Sequence, residues 1–180
     1  IAQKFEAIIN GIMSEQAKQN AAKENERWLD ANRKSKLIRD AAETLQSGGV
    51  LDNIDALASE ITSPSEHSQQ INNTLLDTWK TLTDEATTEY QFASIEDAKT
   101  LCIQCEIAAE IDSPQEDQAL RMQLQVNRLS QGINNQQDSG NKKDELERYL
   151  LEWFQLCLIP KEVRADLETR IDQVLAKQAL

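Results

Sequence analysis

Two cysteines separated by two residues, Cys102 and Cys105, have the spacing closest to that of a metal or redox site in this chain. A structural zinc site needs about four ligands, so Cys157 and His67 would have to complete it. A redox pair of the thioredoxin type would open a helix that follows a strand. Here both cysteines fall inside a helical pattern, in register with Ala109. The pattern therefore predicts two buried thiols that act as small apolar side chains, with no metal and no cofactor.

The remaining residues form no recognisable catalytic set. His67 is the single histidine, it has no nucleophile near it in the sequence, and we expect it at the surface. Glycosidase-type catalysis needs two carboxylates in a pocket with separated pKa values, and a narrow helical chain with 4% aromatic residues offers little such pocket. Gly48 and Gly49 stand alone and are typical of a helix C-terminus rather than of a phosphate-binding loop. We expect neither an enzyme nor a small-molecule substrate.

Basic residues are concentrated in one segment, which is the best candidate for phosphate binding. The cluster consists of Arg27, Arg33, Lys34, Lys36 and Arg39. As one face of a helix it could contact nucleic acid. The chain has a net charge of −12, however, and residues 48–118 alone contain 15 acidic and 2 basic residues. Pairing with acidic residues of the same fold, or self-association, is therefore favoured over nucleic acid.

Three polar residues share one face of a predicted helix further along the chain: Arg121, Gln125 and Arg128. One interpretation is a network of ion pairs between neighbouring helical hairpins, and the other is a contact face for a partner. The sequence leaves both open. The predicted partner-binding set consists of these three residues together with Trp28, Arg33, Lys34 and Lys36.

The elements that position these residues are predicted to be helices throughout. Apolar residues recur at intervals of three and four, and the chain contains only 5 Gly and 3 Pro. The predicted fold is all-α and bundle-like or repeat-like. It has a long N-terminal helix over residues 1–47, helical hairpins over residues 48–134 and a C-terminal hairpin over residues 135–180. No apolar run has transmembrane length, so no membrane contact is expected.

The long first helix is expected to project from the rest of the molecule. Residues 14–36 contain few large apolar side chains, and an isolated helix of this kind is marginal in water. It therefore needs a partner helix from its own chain, a second copy or another protein. Trp28 is a large aromatic on this polar helix, which usually marks a contact. Trp28→Ala should then weaken self-association or partner binding and leave the melting temperature of residues 48–180 nearly unchanged.

Later helices are predicted to start at Ser63, Ser94, Ser113 and Pro160. The sequences 58–66 and 108–116 are identical at six of nine positions, which indicates either a duplicated hairpin or convergent capping signals. The helix after Pro114 has apolar residues spaced by three and four, which predicts a seam for packing against another helix. The seam contains Ala119, Met122, Val126, Leu129 and Ile133.

One longer stretch resembles a known family. Residues 101–107 (LCIQCEI) and 113–129 (SPQEDQALRMQLQVNRL) are similar to the C-terminal part of a bacterial domain-of-unknown-function family. That family consists of charged, all-helical tandem repeats in long proteins. Segments beginning at Arg33 and Leu151 resemble other parts of it, so the resemblance covers residues 30–160. It implies an all-helical fragment of a larger repeat protein, and it implies no activity, cofactor or catalytic residue.

Together these observations predict an acidic, bacterial helical-repeat or coiled-coil module that binds a protein partner or itself. The three cysteines form no disulfide framework, which favours the cytoplasm. The chain begins at Ile1, already in helical pattern, so we expect it to be a piece of a longer protein. The alternative function is association with nucleic acid or the ribosome through the basic segment of the long helix. Binding that weakens steeply with salt would distinguish this alternative.

Overall fold

The computed structural model describes residues 2–63, 68–84, 93–134 and 141–178. Within these ranges the chain forms seven α-helices and no strand. They are α1 (Ala2–Gln46), α2 (Ile54–Thr62), α3 (Gln69–Thr83), α4 (Ile95–Ala108), α5 (Gln118–Asn134), α6 (Lys142–Gln155) and α7 (Lys161–Gln178); a 3-10 turn (Gln115–Asp117) precedes α5. The all-α prediction, with its long first helix, is confirmed. Among the described helices, none combines the length and the apolar character that crossing a lipid bilayer requires.

The two halves of α1 have different surroundings. The helix contains 45 residues and is about 67 Å long. The side chains of residues 9–23 are exposed, whereas Ala31, Ile38 and Ala42 are buried against α3, α6 and α7. The prediction that all of residues 1–47 project is therefore wrong for residues 25–45. Small side chains on this half let the neighbouring helices approach closely, so that a polar-looking segment becomes a core helix.

The end of α1 is formed as predicted. The helix stops at Gln46, and Gly48 adopts a left-handed conformation with φ of +77°. This conformation is common directly after a helix, where glycine avoids the steric cost of a Cβ atom. The Gly48-Gly49 pair therefore ends a helix.

α4 is the central helix of the fold, because α5, α6 and α7 all pack against it. Its N-terminus is capped as predicted: the Ser94 hydroxyl oxygen accepts a hydrogen bond from the Asp97 backbone N–H at 2.9 Å. Cys102 and Cys105 are both 0% exposed and belong to the apolar core. The prediction that these two thiols are buried core residues is confirmed.

A single apolar core joins the three segments predicted from the sequence. Its buried side chains come from α1, α2, α3, α4, α6 and α7, and the largest include Ile38, Leu75, Leu150, Trp153 and Leu167. The boundaries predicted after residues 47 and 134 therefore do not separate independently packed domains.

Two of the predicted helix starts differ from those observed. Ser68 rather than Ser63 caps α3, because its hydroxyl accepts from the Ile71 N–H at 3.3 Å. Ser63 follows the last residue of α2, and residues 64–67, including His67, lie outside the described residues. Ser113 precedes the 3-10 turn, but its hydroxyl donates to the Glu106 carboxylate and makes no cap. The two similar sequences thus differ in their contacts, and the duplication stays a hypothesis.

α5 lies at an edge of the fold, where it packs mainly on α4. Leu120 and Leu124 are half-buried. The predicted seam occupies another face of the helix, which no described part of the chain covers; the side chain of Ile133 lies outside the described ones. Met122 is 66%, Val126 54% and Leu129 67% exposed. These three residues are called the α5 seam below.

Candidate interaction surfaces and a buried charge network

The exposed members of the basic cluster on α1 are paired with acidic residues of the same chain. Arg33 contacts Asp30 at 2.9 Å and also forms an ion pair with Glu60 on α2. The Lys36 ammonium lies 2.7 Å from the Asp172 carboxylate on α7. These pairs neutralise the positive charge that phosphate groups would need, and they are the intramolecular pairing that the charge distribution predicts.

Lys34 and Arg39 are not on the surface. Each side chain is only 1% exposed. The Lys34 ammonium donates to the Ser63 carbonyl oxygen at 3.2 Å and lies 3.3 Å from the Asp30 carboxylate. Lys34 was predicted to contact a partner, and this prediction is wrong because the side chain holds the end of α2 against α1. Burial lowers the pKa of Arg39 to about 10, although the nearby Glu168 carboxylate opposes the shift, so Arg39 is charged at neutral pH.

Trp28 packs inside its own chain. Its ring centre lies 6.1 Å from that of Phe154 on α6, with the two planes inclined at 35°. The ring is half-buried against the apolar core. Trp28 is thus an intramolecular contact of α1 with α6, and the structure gives the opposite expectation for Trp28→Ala, namely a loss of stability of the body of the fold.

A groove opens beside Trp28, where the exposed half of α1 leaves the body. It has a volume of about 210 Å³ and lies between α1, α6 and the end of α7. Trp28, Leu146 and Leu175 line it, and an ion pair at 2.9 Å between Glu24 and Lys143 lies at its rim. This space is called the α1–α6 groove below.

Of the three polar residues predicted on one face of α5, two contact other parts of the fold and one is exposed. Arg121 donates to the Ile111 carbonyl oxygen at 2.6 Å and to the Ser113 hydroxyl at 3.0 Å, and so closes the connection between α4 and α5. Arg128 forms an ion pair at 2.5 Å with Glu145 on α6. Gln125 is exposed beside the α5 seam. For Arg121 and Arg128 these contacts support the interpretation as a network between neighbouring helices.

A buried charge network around Arg170 was not predicted. Arg170 on α7 is buried, and its Nε and Nη2 donate to Glu106 on α4 at 2.7 and 2.9 Å. Its Nη1 donates to Asp117, in the 3-10 turn, at 2.6 Å. Glu106 also accepts from Ser113, which in turn accepts from Arg121. Burial disfavours the Arg170 charge, but the hydrogen bonds that Arg170 donates to Glu106 and Asp117 outweigh it and raise the pKa of Arg170.

This network is suited to holding helices together. Each carboxylate is engaged by a guanidinium, so neither is a free general base.

The cysteines are equally unreactive: burial raises the pKa of Cys102 to about 12 and that of Cys105 well above its usual range. A thiol with a raised pKa is a poor nucleophile, because the thiolate is the reactive form. In the part of the chain that the structure describes, no three His, Cys, Asp or Glu side chains converge in a way that could hold a metal ion.

A sequence signal for the buried charges does exist. Arg170 lies between Leu167 and Ile171 on the apolar stripe of α7, and Arg39 follows Ile38 on the stripe of α1. A charged residue at a core position has to be paired, since an isolated buried charge is very costly. The register therefore identifies the buried charges, but it does not identify their main partners, which are 53 residues or more away.

Among the described residues, exposed large apolar side chains occur in groups of three in two places. One is the α5 seam. The other is the exposed half of α1, where Ile9 is 42%, Ile12 60% and Met13 64% exposed. Large apolar side chains that are close together at a surface commonly mark sites of interaction.

Comparisons with known proteins identify no relative: no family model, no curated protein and no solved structure matches the chain.

Proposed function

We propose that the chain is a non-enzymatic helical interaction module that binds a protein partner through the α5 seam. The observation that carries this proposal is the exposure of Met122, Val126 and Leu129, each more than half accessible, on one face of α5, whose partly buried side chains Leu120, Arg121 and Leu124 lie on another face. Covering one such side chain contributes about 1.5–3 kcal/mol, so a ligand that buries all three gains a substantial driving force.

The spacing of the seam indicates the kind of partner. Its residues alternate by four and three positions, which is the pattern that another helix fills with its own apolar side chains. α5 contains two arginines and no carboxylate, so an amphipathic helix with acidic flanks would meet no like charge. Gln125 borders the seam and could hydrogen-bond to such flanks, whereas Arg128 is paired with Glu145. The resemblance to bacterial tandem-repeat proteins suggests that the natural partner is a neighbouring helical repeat or a protein that docks on it.

Binding of nucleic acid has less support. Of the basic residues proposed for it, Lys34 and Arg39 are buried, and Arg33 and Lys36 are paired with carboxylates. The net charge of −12 would also repel a phosphate backbone.

The proposal is tested with a photo-crosslinking amino acid at Met122 in the full chain, exposed to a bacterial lysate. We expect one predominant protein to be captured. Val126→Glu should reduce its capture at least tenfold, because the added charge would have to be desolvated in the contact. Asn127→Glu adds the same charge on an exposed, off-seam position of α5 and should leave the capture unchanged.

Equal capture by the two glutamate variants would contradict the proposal, because the contact would not then involve the seam. Capture of nucleic acid in place of protein, with a yield that falls steeply with salt, would support the alternative function.

A further inference from the structure

The exposed half of α1 carries a stripe that continues the buried face of the same helix. With about 3.6 residues per turn, Ile9, Met13, Ala17 and Ala21 lie in line with Trp28 and the core positions that follow it. Within the body this face is covered by α3, α6 and α7. On residues 9–21 no described part of the chain covers it, and all four side chains are exposed. These four residues are called the arm stripe.

The α1–α6 groove lies directly at the end of the arm stripe, since Ala21 belongs to both. Its volume of about 210 Å³ is large enough for an aliphatic side chain. Asn25, another lining residue, is only 8% exposed, yet its Oδ1 accepts no hydrogen bond. An unsatisfied oxygen at this depth is costly unless a ligand or water supplies a donor. The groove thus has unfilled space for a side chain and a buried acceptor, the Asn25 Oδ1, that lacks a donor.

We propose that a second copy of this chain completes the groove, through antiparallel pairing of two α1 helices about Ala17. In this arrangement Met13 of the second copy lies opposite Ala21, and Ile9 of the second copy lies opposite Asn25. Each large side chain therefore meets a small one or the groove, while the two Ala17 residues permit close contact of the helix axes. Asn10 of the second copy lies opposite Glu24, close enough to Asn25 for its amide to donate to the free oxygen.

Charge favours a second copy over a strongly charged partner. Residues 9–24 contain two acidic and two basic residues, so this part is neutral in a chain of net charge −12. When the helices pair about Ala17, Lys18 lies opposite Gln16 and Glu15 lies opposite Gln19, so no like charges face each other. A highly acidic or basic partner would find no complementary charge here.

Two-fold symmetry makes the pairing self-limiting. The same stripe and the same groove are used by both copies, so the assembly stops at a dimer. The contact extends over about 24 Å of helix and one groove in each copy, which is small for an obligate dimer. We therefore expect a dimer that dissociates on dilution.

The inference does not depend on the proposed function, because the arm stripe and the α5 seam are separate surfaces. If the chain proves to be monomeric, crosslinking of a protein through the α5 seam is still expected. If that crosslinking fails, dimerisation through the arm stripe is still expected.

Sedimentation of the full chain over a range of concentrations is the first test. We expect the mass to rise from 20.3 kDa to twice that value. Ala17→Glu should abolish the increase, because it places a charge at the centre of the contact. Gln19→Glu adds the same charge on the opposite side of the arm, where the side chain is exposed, and should dimerise like the parent. A wild-type chain that stays monomeric, or two variants that behave alike, would overturn the proposal.

Disulfide trapping tests the register. In a Cys157→Ser background, whose other cysteines are buried, Ala17→Cys should form a covalent dimer under mild oxidation and Gln19→Cys should not. Met13→Cys should not link to itself, but it should link to Ala21→Cys when the two chains are mixed. Self-linking of Met13→Cys would mean parallel helices or an antiparallel pair centred on residue 13, and either would refute the arrangement about Ala17.

Discussion

The guanidinium carbon of Arg39 lies 4.7 Å from the centre of the Trp153 ring, and the same side chain donates to two backbone carbonyls at the end of α6. These are the carbonyls of Trp153 and Leu156, each at 2.9 Å. The last carbonyls of a helix have no partner within the helix and need an external donor when they are buried. One arginine of α1 thus caps α6 and covers its tryptophan at the same time.

Arg39→Lys should therefore destabilise the fold although it keeps the charge. Lysine lacks the planar, forked arrangement of donors and cannot stack on the ring while it bonds both carbonyls. We expect a loss of about 1–3 kcal/mol in the free energy of unfolding, measured with urea. Arg33→Lys, at an exposed position of the same helix, is the control and should change it by about 0.5 kcal/mol or less. Equal losses in the two variants would contradict the capping role.

Arg170→Met should be the most destabilising of the charge substitutions. It leaves Glu106 buried without a counterion and Asp117 with Lys99 alone, at 3.5 Å, and breaking a buried pair in this way costs about 3–5 kcal/mol. Adding Glu106→Gln to Arg170→Met should recover part of the loss, because it removes one unpaired charge. Arg128→Met removes a half-exposed pair with Glu145 and should cost about 1 kcal/mol or less. Strictly additive losses for Arg170→Met and Glu106→Gln would show that the two residues are not coupled.

Trp28→Ala should lower the stability of the whole chain. The substitution removes the contact with Phe154 and enlarges the α1–α6 groove, and for a half-buried ring we expect a loss of about 1–3 kcal/mol. Leu29→Ala, at a 43% exposed neighbouring position, is the control and should have a smaller effect. A melting temperature that is unchanged in Trp28→Ala would mean that α1 detaches from α6 at little cost.

The three thiols should differ in their rate of modification. Cys102 and Cys105 are fully buried with raised pKa values, so at mildly alkaline pH they should react with a thiol reagent only when the chain unfolds. Burial also raises the pKa of Cys157, but this thiol is half-buried and should react first, though more slowly than a free cysteine. Denaturant should expose all three at once. Rapid labelling of Cys105 in the folded chain would contradict its assignment to the core.

The sequence was sufficient to predict the helices but not their surroundings. Apolar spacing identifies a helix because it depends on neighbours three or four positions away, and the cap at Ser94 depends on Asp97 in the same turn. What covers a helix depends on distant residues. Residues 25–45 of α1 contain many charges, a composition typical of a solvated helix, and long-range contacts such as those of Arg39 and Trp28 bring them into the core.

For the same reason, the sequence predicts some features of the candidate surfaces and not others. The α5 seam follows from local spacing, so its residues could be identified, although their exposure could not. Lys34 and Arg33 are adjacent basic residues in the sequence, yet one is buried beneath Ser63 and the other is paired at the surface. The clustering of basic residues in the sequence does not distinguish these two side chains, because they differ in their angular position around the α1 axis relative to α2.

The division of α1 into a covered and an uncovered half gives one helix two very different rates of amide exchange. Around Ala31, Ile38 and Ala42 the backbone hydrogen bonds are shielded, so these amides should exchange with solvent deuterium only when the whole fold opens. From Ile9 to Lys23 the side chains are exposed, so water reaches the backbone hydrogen bonds of the helix and these can open by local fraying. Protection should therefore rise along a continuous helix, and the position of the rise should move toward residue 9 at concentrations where two copies associate.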